Sequence, residues 1–145
     1  MFRGRHALLM DNKGRISIPT RYREFLQERQ DRVLFLTNYE GYILAFPQSE
    51  WVKVEAKLAE QPFLRRNFRE FQRFFINSAE ECPLDRQGRI LIPPTLRDYA
   101  KLSREVILAG AVRCFEIWDR QAYDAHRRDL EARDFDEVLH ELQII

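Results

Sequence analysis

Glycine is scarce in this chain, five residues in 145, and none falls in a G-x-G-x-x-G or G-x-x-x-x-G-K arrangement. Loops that cradle phosphates need closely spaced glycines so that backbone N–H groups can approach the anion, so the usual nucleotide-binding folds are excluded. Cysteine is scarcer still. Cys82 and Cys114 are too few and too far apart for a metal cluster or a disulfide framework, and they read as reduced, packed thiols of a cytosolic protein. The longest apolar run, residues 106–112, falls far short of a membrane span. Arg3 and Arg5 open the chain with no apolar segment behind them, so no secretory signal is expected. Catalytic signatures are missing as well: there is no G-x-S-x-G elbow, no H-E-x-x-H and no C-x-x-C. His6, His126 and His140 stand singly and read as structural or solvent-facing. No enzyme, cofactor, metal site or small-molecule substrate is expected.

Net charge is also nearly absent, at +1, which by itself does not suggest a nucleic-acid binder. Dividing the chain changes that reading. Residues 1–75 hold 14 Lys/Arg against 9 Asp/Glu, whereas residues 76–145 hold 10 against 14. The first 23 residues carry six basic groups (Arg3, Arg5, Lys13, Arg15, Arg21, Arg23) and a single acid, Asp11. Arginine outnumbers lysine 20 to 4, and its planar fork suits bidentate contact with phosphate and guanine. The charge is polarised rather than missing.

What the sequence does contain is an internal repeat. Residues 11–19, DNKGRISIP, return 74 residues later as DRQGRILIP at 85–93. Tyr22, Arg23 and Phe25 then fall opposite Leu96, Arg97 and Tyr99, and Gly41 opposite Gly110. The duplicated unit is about 45 residues long.

Each copy can be read locally. Asp at the first position of a turn and Gly at the fourth suit a type I turn closed by a left-handed glycine, so Asp11, Gly14, Asp85 and Gly88 define the turns. An Asp there bonds the turn's own N–H groups, which explains both carboxylates better than an acid–base pair does. Residues 6–10 read as a strand before the first turn. Ile16/Ile18 and Ile90/Ile92 alternate inward after each turn. Pro19 and Pro93-Pro94 stop those strands and start helices whose buried faces carry Tyr22, Phe25 and Leu26 or Leu96, Tyr99 and Ala100. Two further strands follow, giving a β-β-α-β-β unit too small to stand alone, so the copies are expected to share one core.

The organisation expected is therefore α+β: a first unit over residues 1–50, a helical connector over 51–78, a second unit over 79–123 and a helical segment over 124–145. In the connector, Trp51, Val54 and Leu58 share one face up to Pro62. Leu64, Phe68, Phe71 and Phe75 form a second stripe, read as core because its period is helical. Arg65, Arg66, Arg69 and Arg73 line the other side, as a solvated face or as a ridge contacting phosphates. Leu130, Phe135, Val138, Leu139 and Leu142 can pack on a neighbour or on the chain's own core.

Arg15 and Arg89 follow the turn glycines and could simply pair with Asp11 and Asp85. That does not account for Lys13 and Arg86 on the same turns, nor for Arg3 and Arg5 at the start of the strand before the first. A hairpin is a two-stranded ribbon that the DNA major groove admits, so two such tips would present paired basic ribbons. Lys13, Arg15, Arg86 and Arg89, assisted by Arg3 and Arg5, are the candidate DNA-binding residues.

The opening MFRG, the duplicated D-x-x-G-R-I-x-I-P blocks, Glu81-Cys82 before the second block and residues 115–119, FEIWD, together resemble the MraZ family over nearly the whole chain. The resemblance implies two tandem AbrB-like swapped-hairpin units joined as a pseudo-dimer. It implies a cytoplasmic, nucleoid-associated transcriptional regulator that forms ring-shaped homo-oligomers. Its target would be short direct repeats in double-stranded DNA upstream of the cell-division and cell-wall gene cluster, including its own gene. The family's repeated D-x-x-x-R motif falls on Asp11 to Arg15 and on Asp85 to Arg89, with Lys13 replaced by Gln87 in the second copy. A different class remains open: an AbrB-like protein-interaction module, antitoxin-like or a scaffold, that does not read DNA sequence.

Overall fold

In both copies an Asp-led turn is followed by a short strand that a proline ends and a helix that the proline starts. The computed structural model describes residues 1–62 and 64–144. The first copy runs β1 (Arg5–Leu9), β2 (Arg15–Ser17), α1 (Thr20–Glu28), β3 (Val33–Tyr39) and β4 (Tyr42–Pro47). Helices α2 (Gln48–Ala59) and α3 (Arg66–Phe75) follow. The second copy repeats the order as β5 (Glu80–Pro83), β6 (Arg89–Leu91), α4 (Pro94–Tyr99), β7 (Glu105–Gly110) and β8 (Phe115–Asp119). Helices α5 (Arg120–Glu131) and α6 (Asp136–Glu141) close the chain. Pro19 and Pro93 sit just before α1 and α4 with φ near −55° and −58°, values the proline ring imposes.

The strands pair across the duplication. A six-stranded antiparallel sheet has the order β1-β7-β8-β4-β3-β5, and a separate two-stranded ribbon joins β2 to β6. Each copy's first strand thus lies along the other copy's third: Ala7 faces Ile107, and Leu34 faces Cys82. This corrects the local reading in which each turn caps its own two-stranded hairpin. Beyond the closing bond from Asp11 N to the Arg15 carbonyl (3.0 Å), β1 and β2 part to different sheets. The physical reason is burial. Ile16, Ile18, Ile90 and Ile92 are all at most 1% exposed, and pairing β2 with β6 puts all four isoleucines under one sheet.

One core spans both copies. Phe2, Tyr22, Leu26, Leu34, Leu36, Ile43, Leu96, Val106, Leu108, Phe115 and Ile117 pack with those isoleucines between the sheet, the ribbon and helices α1 and α4. Tyr99 of the second copy packs against this core, and its hydroxyl accepts the Gly41 N–H (3.0 Å) at the tip of the β3–β4 turn in the first copy. That turn has Glu40 and Gly41 at φ 46° and 87°, the two left-handed residues a tight hairpin needs.

The sheet's other face is covered by α2 and α3 on one side and α5 on the other. Trp51 stacks on Phe35 (5.5 Å), and Tyr123 meets Trp118 edge-on (5.6 Å). Here the expectation that the connector's phenylalanine stripe is core needs correction. Phe75 is buried, with Thr37 Oγ1 donating to its carbonyl (2.6 Å). Of the rest of that stripe, Phe68 is half-buried and Leu64 and Phe71 are 76% and 38% exposed; Phe74, beside it, is 42% exposed. The sheet beneath is already occupied by Trp51, so α3 docks only by its last turn. Phe135, Val138 and Leu142 are exposed too, while Leu130 and Leu139 are half-buried, so the C-terminal segment buries its apolar positions only in part.

Candidate nucleic-acid interface

The two turns are built alike from the backbone up. Asp11 Oδ1 accepts the N–H groups of Lys13 (3.0 Å) and Arg15 (2.9 Å), and Gly14 N donates to the Asp11 carbonyl (3.0 Å). Asp85 repeats the pattern with Gln87 (2.8 Å), Arg89 (2.9 Å) and Gly88 (3.0 Å). Gly14 and Gly88 close the turns at φ 90° and 74°, where a side chain would be strained. Each carboxylate also takes the Nε of its arginine, Arg15 at 2.7 Å and Arg89 at 2.9 Å. The backbone bond from Arg15, joined by the side-chain bond and charge of the same residue and the backbone bond from Lys13, lowers the Asp11 pKa to about 2, outweighing the opposing loss of hydration. Asp85 is lowered by the same contacts from Arg89.

These ion pairs are exposed and add little stability on their own. Their effect is geometric: Nε is occupied, and the Nη groups of Arg15 and Arg89 make no hydrogen bond among the described residues. A guanidinium held at its inner edge presents its outer edge in a fixed orientation, the arrangement that bidentate recognition needs.

The ribbon relates the two turns. Arg15 pairs with Leu91, Ile16 with Ile90 and Ser17 with Arg89, and the ladder is extended by Ile18 N to the Gly88 carbonyl and Ile92 N to the Gly14 carbonyl (both 2.9 Å). Because β2 and β6 run antiparallel, the turns stand at opposite ends. With the isoleucines inward, Arg15, Ser17, Arg89 and Leu91 face outward as a short strip with a turn at each end. Lys13 and Arg86 are exposed on the turns themselves. Asn12 stands where Arg86 does in the other copy, so the two ends are not equivalent.

Not every candidate residue gathers here. Arg3 and Arg5 are exposed at the far end of β1, roughly 20 Å of extended chain from Asp11. The Arg3 carbonyl accepts the Tyr22 hydroxyl (3.0 Å). In the connector, Arg65 lies over the Phe68 ring (5.0 Å), Arg66 pairs with Glu70 (2.8 Å) and Arg69 Nη1 donates to the Leu64 carbonyl. The residues that local reading passed over are Arg23 and Arg97. Each reaches across the duplication, Arg97 to Gly14 and Arg23 to Gly88. The only sequence signal was their matched position in the repeat.

Two of the histidines take part in aromatic packing. His6 packs edge-on to Tyr22 (5.0 Å) and His126 stacks on Trp118 (5.3 Å). Burial pushes the Cys82 thiol up to about 12 and the Cys114 thiol to about 11, and both are free. Among the described residues no group of His, Cys, Asp and Glu could hold a metal ion, and no helix is long and apolar enough to cross a membrane.

Fold and site together define a duplicated α+β protein in which two Asp–Arg turns flank one shared ribbon. The chain belongs to the MraZ family, described as "MraZ protein, putative antitoxin-like", which matches it twice, over residues 1–74 and 75–143. It is 47% identical over 125 residues to the transcriptional regulator MraZ of Syntrophobacter fumaroxidans, covering 86% of this chain and 83% of that protein. It is 44% identical to the protein of that name from Thioalkalivibrio sulfidiphilus, over 85% of this chain and 83% of the relative. With that of Desulforamulus reducens it shares 41% identity over 91% of each chain.

Proposed function

We propose that this protein is a sequence-specific DNA-binding transcriptional regulator that docks the β2–β6 ribbon against the major groove. The observation that carries the reading is the pair of arginines, Arg15 and Arg89, each held through Nε by its turn aspartate with the outer guanidinium edge turned to solvent. Arg15 and Arg89 read base edges, Lys13 and Arg86 contact flanking phosphates, and Arg3 and Arg5 assist from the far end of β1. The exchange of edge strands between the copies supports the swapped-hairpin, pseudo-dimer interpretation, with units over 1–50 and 79–123, a connector over 51–78 and a C-terminal segment over 124–145. The relatives' name, transcriptional regulator, supports the regulatory role.

The target is short direct repeats upstream of the cell-division and cell-wall gene cluster, including the protein's own gene, and the site of action is the nucleoid in the cytoplasm. A subunit of net charge +1 makes few phosphate contacts and binds weakly at physiological salt. A ring-shaped homo-oligomer offers the ribbon repeatedly to repeated sites, so affinity comes from linked contacts rather than a basic surface. The exposed apolar residues Phe71 and Phe74 on α3, with Leu64 just before it, supply surface for that assembly.

The test is a salt titration of binding to the DNA upstream of the gene beside a scrambled duplex of equal length. A steep dependence on salt with strong preference for the native repeats supports the reading; equal, weak binding to both refutes it. The alternative is a protein-interaction module, to which the family description "antitoxin-like" and the same exposed apolar face lend support. Light scattering separates the two: a large homo-oligomer without a co-purifying partner favours the regulator.

A further inference from the structure

Arg23 and Arg97 occupy equivalent places in the two copies, and each lays its guanidinium over the turn glycine of the other. In both, Nε is buried and has no hydrogen-bond partner among the described residues, while Arg23 Nη2 donates to Thr20 Oγ1 (3.1 Å). A buried guanidinium N–H without an acceptor is costly. Its recurrence at two positions related by the duplication marks a feature of the design, not an accident of one loop.

At the second turn Arg23 also borders a cleft of about 710 Å³. Arg23, Arg32 and Arg86 line it together, with Leu26 and Leu84 as apolar wall. Two carboxylates also belong to the wall, Asp31 and Asp85, and both are already engaged. Asp31 takes the Ser49 N–H (2.9 Å) and hydroxyl (2.7 Å) and lies 3.7 Å from Arg29 Nε. Asp85 is held by Arg89. Arg32 and Arg86 are exposed and make no ion pair with any described residue. The cleft therefore carries an excess of guanidinium charge.

We infer that this cleft is an oxyanion site that takes a phosphate group, with Arg23 and Arg86 as donors and Arg32 adding charge. Planar guanidinium forks match phosphate oxygens in pairs, and the volume lies within the range of small-molecule sites. The phosphate has two possible sources: the backbone of a duplex on the adjoining ribbon, or a phosphorylated small molecule. The corresponding position at the first turn has Asn12 in place of Arg86, so the site is assigned to the second turn alone. The inference does not rest on the ribbon reading DNA sequence.

The test uses the full-length protein labelled with ¹⁵N, following the arginine Nε–H signals by NMR, with inorganic pyrophosphate and a short duplex as probes. Saturable movement of the Arg23 signal by pyrophosphate is expected, with affinity falling about tenfold in each of Arg23→Gln and Arg86→Gln. The control Arg128→Gln, on α5, is expected to bind pyrophosphate as the parent does. Displacement of bound pyrophosphate by the duplex assigns the site to the DNA backbone; retention assigns it to a free ligand; either result upholds an oxyanion site. Should Arg23→Gln fail to fold, Arg86→Gln decides, since that exposed side chain supports no other residue. The inference is overturned if neither probe moves the Arg23 signal saturably, or if the folded variants bind pyrophosphate as tightly as the control.

Discussion

The guanidinium of Arg97 lies where a side chain on Gly14 would have to go. A Cβ on Gly14 would stand 2.6 Å from Arg97 Cζ and 2.8 Å from Nε, and one on Gly88 would stand 2.9 Å from Arg23 Nη1. Each turn is therefore roofed by an arginine from the other copy, so the turns report on the joining of the two halves as well as on their own local sequence.

Three alanine substitutions separate the reasons for glycine. Gly41→Ala meets nothing within 4 Å, so it carries only the strain of φ 87°, about 1–2 kcal/mol. Gly14→Ala is expected to cost a similar amount, because the tip of Arg97 can swing aside. Gly110→Ala should cost more, about 3 kcal/mol, since its Cβ would collide with the backbone of Phe2 and Arg3, which cannot swing away. Urea denaturation of the three variants checks the order, and NMR of the Arg97 Nε–H signal should change in Gly14→Ala alone.

Replacing Arg15 tests base reading against phosphate contact. Arg15→Lys retains the charge but cannot both hold Asp11 and present a planar edge. It is expected to lose about 1–3 kcal/mol of discrimination between native and altered sites while its salt slope stays close to that of the parent. Lys13→Gln should instead weaken binding to every duplex and lower the salt slope by about one. Fluorescence anisotropy at several salt concentrations distinguishes the two patterns.

Acid should loosen the turns. Asp11 has its pKa lowered in the folded chain, from 3.8 to about 2. Its contribution to stability is therefore complete above pH 4 and is lost as pH falls towards 2. Asp85 shifts in the same direction for the same reason. The double variant Asp11→Asn, Asp85→Asn should lose less stability than the parent between pH 4 and pH 2, as measured by the urea midpoint at each pH.

The cysteines should react slowly. With its thiol raised to about 12 by burial, Cys82 has almost no thiolate at pH 8, and Cys114, at about 11, has little. Labelling with a thiol reagent in the native state is expected to be far slower than in urea, with Cys114, only half buried, reacting before Cys82.

Much of this fold was legible because the chain repeats itself. The Asp–Gly spacing, the alternating isoleucines and the prolines are local signals, and the turns, short strands and helix starts appear where those signals place them. Strand β1 begins one residue earlier than its pattern suggested, at Arg5. The partnership of the strands was not legible locally, because Ile16 is inward whether β2 pairs with β1 or with β6. Only the need to bury Ile16 and Ile90 together decides between them, and that is a property of both copies at once. The phenylalanine stripe misled for a related reason: a helical period shows which side chains share a face, but not whether a sheet has room to receive that face. Arg23 and Arg97 carried no local signal for this role, since the glycines they cover lie more than sixty positions away.

The antiparallel β2–β6 ribbon would have strict twofold symmetry if it were made by two identical chains, and the surface it offered would then be a palindrome. Here one gene encodes both strands, so each can drift without the other. Ser17 stands across from Arg89 while Leu91 stands across from Arg15, and Asn12-Lys13 at one end answers Arg86-Gln87 at the other. Fusion has given the ribbon a head and a tail. Copies set side by side along a duplex can then all point the same way, which an evenly two-sided reader could not enforce.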